Sequence, residues 1–155
     1  MKKVLLGIVT IICITFVTGC GNSIKTNSNK TLSCTKDFSS SMPSGITMIQ
    51  KSDISFTNNK IDTIDMLMSF EVSDTYLSQF DTLMDTMKTT YDEQYGKYDG
   101  VTVETNKTSD STFEVTISVD YKNTSDSTRT ALDMKGSEDY KINKTQLEQQ
   151  GYTCE

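Results

Sequence analysis

Three cysteines are the residues of this chain best suited to covalent chemistry. Cys20 directly follows an apolar N-terminal run, whereas Cys34 and Cys154 lie near the two ends of the remaining sequence. A thiolate is a strong nucleophile, but catalysis usually needs a neighbouring base, and that base is most often histidine. The chain contains no histidine and no tryptophan. This composition argues against Ser-His and Cys-His hydrolases and against most zinc sites.

The first 20 residues have the pattern of a signal segment. Lysines at positions 2 and 3 precede an apolar run over residues 4–17, and the letters VTGC then end in Cys20. The run is shorter than the roughly 20 apolar residues of a transmembrane helix and matches the core of a signal peptide. The segment resembles a bacterial lipoprotein signal peptide with a lipobox, which implies cleavage after Gly19 and lipidation of Cys20. The alternative is an ordinary secretory signal in which Cys20 is simply the next residue.

The lipobox divides the chain into three parts. Residues 1–19 are predicted to be a cleaved signal peptide, residues 20–30 a lipid anchor with a polar tether, and residues 31–155 a single domain. We expect a diacylglycerol on Cys20 to hold the protein at the extracytoplasmic face of the cell membrane. Cleavage removes two lysines and changes the formal net charge from −6 to −8. An acidic domain is a poor candidate for nucleic-acid binding, which needs clustered lysine and arginine.

Cys34 and Cys154 are an even pair, which in an oxidising compartment favours a disulfide. The bridge would close a loop of over a hundred residues, for which the chain-entropy model gives roughly 4–5 kcal/mol of stabilisation. The alternative is two buried free thiols. A metal site is disfavoured because two cysteines without histidine provide too few ligands. The sequence predicts no cofactor and no metal.

Alternating apolar residues predict five strands, at residues 31–38, 46–56, 61–72, 101–106 and 112–121. A long helix is predicted between the third and fourth strands, with Asp74 as its N-cap and Gly96 as the left-handed residue that ends it. A short helix is expected around Ala131. Another is expected over residues 144–150, with Asn143 as its cap and Gly151 just past its end, and the C-terminal tail is expected beside the first strand.

The long helix has one apolar and one charged face. The apolar face repeats at three- and four-residue steps and comprises Tyr76, Phe80, Leu83, Met84, Met87, Tyr91 and Tyr95. The charged face comprises Asp81, Asp85, Lys88, Asp92 and Glu93. Its carboxylates lack the loop pattern of a calcium site and are better explained as a solvated helix face. Tyr91, Tyr95 and Tyr98 are weak candidates for ligand contact on an aromatic platform, and core packing explains the first two better.

The order of these elements predicts an α+β fold. It consists of a strand, a hairpin, the long helix, a second hairpin and short C-terminal helices, with an antiparallel sheet packed on the long amphipathic helix. Clean alternation with polar partners predicts that the other face of the sheet contacts water.

Together with the lipobox cysteine Cys20, the order of predicted strands and helices resembles the YehR-like family of small bacterial lipoproteins, a family of unknown function. The resemblance rests on the first strand, the paired strands over residues 46–72, and the helix end EQYGKYDGV at residues 93–101. The most specific part is this KYxGV-like helix end followed by strand, turn and a strand ending in Asp120-Tyr121. The resemblance implies an α+β fold and a location in the cell envelope, and it supplies no catalytic residues.

The sequence therefore predicts a membrane-anchored, extracytoplasmic, non-enzymatic module that binds an unknown envelope protein or ligand. The alternative is a small-ligand receptor, such as an accessory solute-binding lipoprotein of a transporter. That alternative predicts a concave pocket of about 300 Å³ or more, lined by tyrosine and methionine with a few polar groups. An enzyme based on carboxylates alone ranks third and requires two of them to converge in a cleft.

Overall fold

A computed structural model describes residues 29–134 and 136–155 of the chain. The predicted signal peptide, Cys20 and most of the predicted tether lie outside the described residues. Asn29 and Lys30 were placed in the tether by the sequence, but they belong to the first strand. They pair with Thr57 and Phe56 of the neighbouring strand, so backbone pairing extends the sheet to Asn29.

The described residues form an α+β fold built on a six-stranded antiparallel sheet, which confirms the predicted class. The strands are β1 (Asn29–Asp37), β2 (Ile46–Thr57), β3 (Lys60–Val72), β4 (Val101–Lys107), β5 (Thr112–Val119) and β6 (Thr153–Cys154). Their order across the sheet is β4-β5-β3-β2-β1-β6, and every neighbouring pair is antiparallel. The short β6 is the C-terminal tail, which pairs with β1 as expected.

Period-two alternation places the apolar side chains of the strands on one face of the sheet. The register aligns Ile54 of β2 with Ile64 of β3, and Ile64 with Val119 of β5, so that these side chains form a continuous buried row. The turn between β2 and β3 consists of Asn58 and Asn59, both at positive φ (55° and 65°). Asparagine is one of the few residues that adopt this conformation readily, which suits it to a tight connection.

The long helical segment changes its winding along its length. A 3₁₀ segment (Asp74–Gln79) leads into α1 (Phe80–Tyr91), and a π turn (Asp92–Gly96) follows. The predicted N-cap is wrong, because Asp74 lies inside the 3₁₀ segment. No side chain caps the first residues of the 3₁₀ segment or of α1.

The prediction for Gly96 is also wrong. The π turn keeps the chain helical through Gly96, and the left-handed residue is Gly100, with φ 76°. A Cβ on Gly100 would lie 2.6 Å from the Thr124 hydroxyl. Glycine therefore meets both a conformational and a steric requirement at this position.

Two shorter helices complete the fold, α2 (Asp126–Ala131) and α3 (Tyr140–Gln149). The cap of α3 is Asp139, whose Oδ1 accepts hydrogen bonds from the backbone N–H groups of Lys141 and Ile142. The predicted cap, Asn143, lies inside the helix. It is buried, and its Nδ2 donates to the carbonyl oxygens of Ser137 and Asp139. The helix therefore begins a full turn before the predicted start, and Gly151 follows it at φ 88° as expected.

The helices cover the apolar face of the sheet. Phe80 of α1 makes an edge-on ring contact with Phe113 of β5, and Tyr140 of α3 makes one with Phe56 of β2. The predicted apolar residues of the long helical segment are all buried or packed against the core. None of the helices in the described ranges has the length and apolar character that crossing a membrane requires.

Candidate functional site

The open face is the side of the sheet opposite the helices, and within the described residues no helix packs on it. Its side chains are exposed or half-buried, and they alternate with the core residues along β1 to β5. Most are polar, as the sequence predicts. The side chains of the open face are Asn29, Thr31, Ser33, Thr35, Asp37, Thr47, Ile49, Lys51, Asp53, Ser55, Thr57, Lys60, Thr63, Asp65, Leu67, Ser69, Glu71, Thr102, Glu104, Asn106, Thr112, Glu114, Thr116 and Ser118.

The open face is strongly acidic. Its cations are Lys51, whose Nζ lies 2.8 Å from Asp53 Oδ2, and Lys60, which lies opposite Thr57 where β3 begins. Its carboxylates come from all five long strands, namely Asp37, Asp53, Asp65, Glu71, Glu104 and Glu114. Asp53 lies directly opposite Asp65, and Glu114 is two residues from the positions opposite Glu71 and Glu104. Such opposite and diagonal neighbours lie within the screening length of about 8 Å at physiological salt. The negative potential of these groups therefore accumulates over the sheet.

Asp53 and Asp65 occupy directly opposite positions on β2 and β3. Partial burial opposes the ionisation of Asp53, but hydrogen bonds from Lys51 and Ser33 outweigh it and hold the pKa of Asp53 below its ordinary value. Asp65 is exposed, and its carboxylate makes no hydrogen bond or ion pair with the described residues. Like charges directly opposite each other destabilise a sheet. Within this pair, only the negative charge of Asp53 is therefore balanced by a neighbouring cation.

A shallow depression of about 350 Å³ lies at the end of the open face where β3, β5 and β4 meet. It is open to solvent, and Asp65 and Asp120 contribute carboxylates to it. The full lining is Thr63, Asp65, Gly100, Val101, Thr102, Ser118, Val119 and Asp120. The backbone N–H and the side-chain amide of Asn123 donate to Asp120 at 3.2 and 2.9 Å, which fixes the orientation of this carboxylate.

Most of the lining surface of the depression is apolar, and its polar side chains can accept hydrogen bonds from a ligand. Carboxylates accept only, and the hydroxyls of Thr63, Thr102 and Ser118 can also accept. This chemistry suits a donor-rich cation such as an ammonium or guanidinium group. Within residues 29–134 and 136–155, no three histidine, cysteine, aspartate or glutamate side chains come together in a way that could hold a metal ion.

The three tyrosines named as weak ligand candidates lie in or against the core. Tyr91 and Tyr95 are buried and stacked on each other with ring centroids 6.1 Å apart, and Tyr98 packs against the core. Burial raises the pKa of Tyr91 well above its ordinary range. The structure therefore places these rings as packing residues, separate from the depression.

Cys34 and Cys154 are brought together as a disulfide-capable pair, which confirms that part of the prediction. They are direct partners in the β1–β6 pairing, and their Sγ atoms are 2.04 Å apart. Cys34 is buried, and the backbone of Glu155 exchanges hydrogen bonds with that of Ser33 on the adjacent rung. The C-terminus is thus fixed to the strand that follows the predicted tether.

No family model matches the chain, and no curated protein matches it. Among solved structures, the chain is similar to an NMR structure of a protein from Streptococcus pneumoniae TIGR4, with a TM-score of 0.50. The two are 15% identical in sequence, and the match covers 90% of this chain and 92% of that chain. At this level of identity the similarity concerns the fold alone.

Sequence patterns predict a wet sheet face but do not identify the depression. Alternation assigns Asp65 and Ser118 to polar positions. Their proximity follows from the β3–β5 register, in which these two residues are direct partners. The proximity of Asp120 follows from the turn that pairs its backbone N–H with the carbonyl of Gly100 at 2.9 Å.

Proposed function

We propose that this chain is a lipoprotein, anchored through a diacylglycerol on Cys20 to the extracytoplasmic face of the cell membrane, and that it binds an envelope protein through the open face. The observation that carries the binding proposal is the asymmetry of the sheet. One face is covered by helices, and the other exposes six carboxylates and many hydroxyls in the described part of the chain. A rigid sheet fixes the spacing of these groups before a partner arrives, which reduces the ordering entropy lost on binding.

A non-enzymatic role is favoured by the chemistry of the exposed groups. The charged and polar groups of the open face are mainly carboxylates, hydroxyls and two lysines, and the chain has no histidine to act as a base near neutral pH. Asp65 and Asp120 both line the depression, but it is shallow and open to water, unlike the closed cleft of most active sites. Binding therefore accounts for the site better than catalysis does.

The alternative, a small-ligand receptor, has partial support. The depression reaches the volume expected of a ligand pocket. Its lining combines a mostly apolar surface, which includes Val101 and Val119, with hydroxyl and carboxylate residues, whereas the tyrosines and methionines expected in such a pocket are mostly in the core. An open depression on a broad charged surface favours a macromolecular partner.

We also propose that the chain is related to the YehR-like lipoproteins. Support comes from the KYxGV-like sequence, whose Val101 begins β4 and whose Gly100 adopts a left-handed conformation. Solving the structure of a YehR-like protein would test this relationship. Equivalent positions for the π turn and this glycine would support it, and a different connection between helix and strand would contradict it.

The anchor is tested by replacing the lipidated cysteine. Cys20→Ser should move the protein from the detergent phase to the aqueous phase in a cloud-point separation, because a hydroxyl does not replace the lipidated thiol. Cys34→Ser is the matched control, since it removes a cysteine and leaves Cys20 intact, and it should stay in the detergent phase. An unlipidated N-terminal peptide in the mass spectrum of the wild-type protein would contradict the anchor.

The binding role is tested by recovering a partner from envelope extracts on the immobilised full-length protein. Thr116→Arg places a bulky cation in the middle of the open face and should abolish recovery of the partner. Thr89→Arg makes the same change on the exposed side of α1 and should leave recovery unchanged. Failure to recover any reproducible partner, together with turnover of a cell-wall substrate, would overturn the proposal.

A further inference from the structure

We infer that the depression between β3, β5 and β4 receives a lysine or arginine side chain from a basic protein segment that lies across the open face. This inference rests on the proposed binding function and specifies the chemistry of the partner. It follows from four observations: the lining of the depression, the opposed pair Asp53–Asp65, the charge of the whole face, and its exposed apolar residues.

The lining of the depression suits a cationic side chain. Most of the lining surface is apolar, which suits a hydrocarbon stem, and Asp65 and Asp120 are the acidic residues that line it for the charged end. Lysine offers three donors and arginine five, with no acceptor to clash with such a lining. The hydrogen bonds from Asn123 hold Asp120 in place, so part of the site is formed before binding.

The opposed carboxylates point to a cation in the same place. Asp53 has Lys51 and Ser33 as partners, whereas Asp65, directly opposite, has none among the described residues. Repulsion within this pair weakens the free protein. A cation bound in the depression would lie against Asp65 and relieve that repulsion, so binding would gain from a local instability of the unbound sheet.

The charge of the open face selects among macromolecular partners. Six carboxylates outnumber two lysines in the described part of this face, and the net negative charge repels nucleic acids, anionic lipid surfaces and a second copy of the same face. A basic protein segment is attracted, and its approach is accelerated by the same field. Electrostatic complementarity thus leaves one class of occupant.

Two apolar side chains on the open face offer a partner hydrophobic contact in addition to the charged groups. Ile49 on β2 is 49% exposed, and Leu67 on β3 is half-buried. Lysine and arginine carry long hydrocarbon stems that pack on apolar surface while their charged ends stay in polar surroundings. Ile49 and Leu67 therefore suit the stems of a basic segment whose end groups contact the surrounding carboxylates.

The test measures binding of a short fluorescein-labelled peptide of alternating lysine and serine to the full-length lipoprotein in detergent micelles, by fluorescence anisotropy at low ionic strength. The same peptide with acetylated lysines is the probe control. Asp65→Asn with Glu104→Gln should weaken binding of the lysine peptide about tenfold, since each exposed ion pair contributes modestly. Asp85→Asn with Glu93→Gln changes the charge equally on the helical segment and should weaken binding by less than about twofold.

A second readout separates a folding defect from loss of the site. Asp65→Asn alone should raise the melting temperature slightly while it weakens peptide binding, because it removes the like-charge opposition. A fall in the melting temperature, or equal weakening by the two double variants, would overturn the inference. So would stronger binding of anionic vesicles than of the lysine peptide.

The two proposals fail in different ways. If the wild-type protein recovers an envelope partner but does not bind the lysine peptide, the basic-segment inference is wrong and the binding function stands. If no envelope partner is recovered and a cell-wall substrate is turned over, but the peptide binds as described, the proposed function is wrong and the cation site stands.

Discussion

Two buried tyrosines differ in whether the fold provides a partner for the hydroxyl. Tyr121 Oη donates to the carbonyl oxygen of Met134 at 3.2 Å, and the Arg129 guanidinium lies over its ring at 4.2 Å from the centroid. The hydroxyl of Tyr91 is fully buried and has no partner among the described residues. An unsatisfied buried hydroxyl destabilises a protein, whereas a bonded one contributes about 1 kcal/mol.

Replacing each of the two tyrosines by phenylalanine should have different effects on stability. Tyr121→Phe should lower the free energy of unfolding by about 1 kcal/mol because it removes a hydrogen bond. Tyr91→Phe should leave it unchanged or raise it, because the ring stays packed and an unpaired hydroxyl disappears. Urea unfolding of the two variants would check this, and a larger loss for Tyr91→Phe than for Tyr121→Phe would contradict the assignment.

Asp139 gives a prediction about pH. Partial burial opposes its ionisation, but hydrogen bonds from Asn59 and from the backbone of α3 outweigh that effect and lower its pKa. A lowered pKa means that the ionised carboxylate stabilises the fold above the unfolded-state pKa of about 4, and that this contribution is lost as the pH falls through the lower folded value.

Asp139→Ala should therefore lower the free energy of unfolding by about 1 kcal/mol at neutral pH, the usual effect of losing an N-cap. The difference from the wild-type protein should shrink as the pH falls below about 4. Unfolding curves across this range provide the measurement. A difference that stayed constant down to the lowest pH would show that the charge of Asp139 plays no part.

At the scale of elements, the link between β1 and β6 has the largest predicted effect. The pair Cys34–Cys154 is separated by 120 residues, so oxidation constrains almost the whole domain in the unfolded state. Non-covalent contacts also hold the tail, since Lys144 Nζ donates to the carbonyl of Cys154 at 2.8 Å and Tyr152 is buried. The bridge therefore acts mainly on the unfolded chain, and the tail keeps other contacts in its absence.

Cys34→Ala with Cys154→Ala should lower the free energy of unfolding by roughly 4–5 kcal/mol, the value that the entropy model gives for a loop of this length. Urea unfolding with and without reductant gives the same comparison in the wild-type protein. Thiol labelling of the exported protein under denaturing, non-reducing conditions should find neither cysteine reactive. Two reactive thiols per chain would contradict the disulfide.

Sequence periodicity predicted elements better than their ends. Strands with strict alternation were located to within a few residues, because each apolar residue of β5 faces the core. The apolar pattern did not predict how the long helical segment is wound. A succession of 3₁₀, α and π turns buries the apolar side chains from Tyr76 to Tyr95 as well as one continuous α-helix would. Asp139 lay outside the predicted helix because residues 140–143 show little amphipathic pattern on their own.

At the scale of the whole molecule, the two faces of one sheet have different roles. The apolar face, with its helices, forms the core, and the open face presents a negative surface with one depression. The apolar pattern of the sequence was sufficient to predict the class of fold and the existence of a wet face. It could not predict the depression, because Asp65, Ser118 and Asp120 meet only through strand register and a turn.

The most direct test of the central claim, binding through the open face, is photocrosslinking in intact cells. A p-benzoylphenylalanine at Thr102, exposed on the open face, is compared with one at Thr89, which is also exposed but lies on α1. We predict a discrete crosslinked product from position 102 and none from position 89. A product from position 89 alone would contradict the account, because it would place the partner on the helical side of the protein.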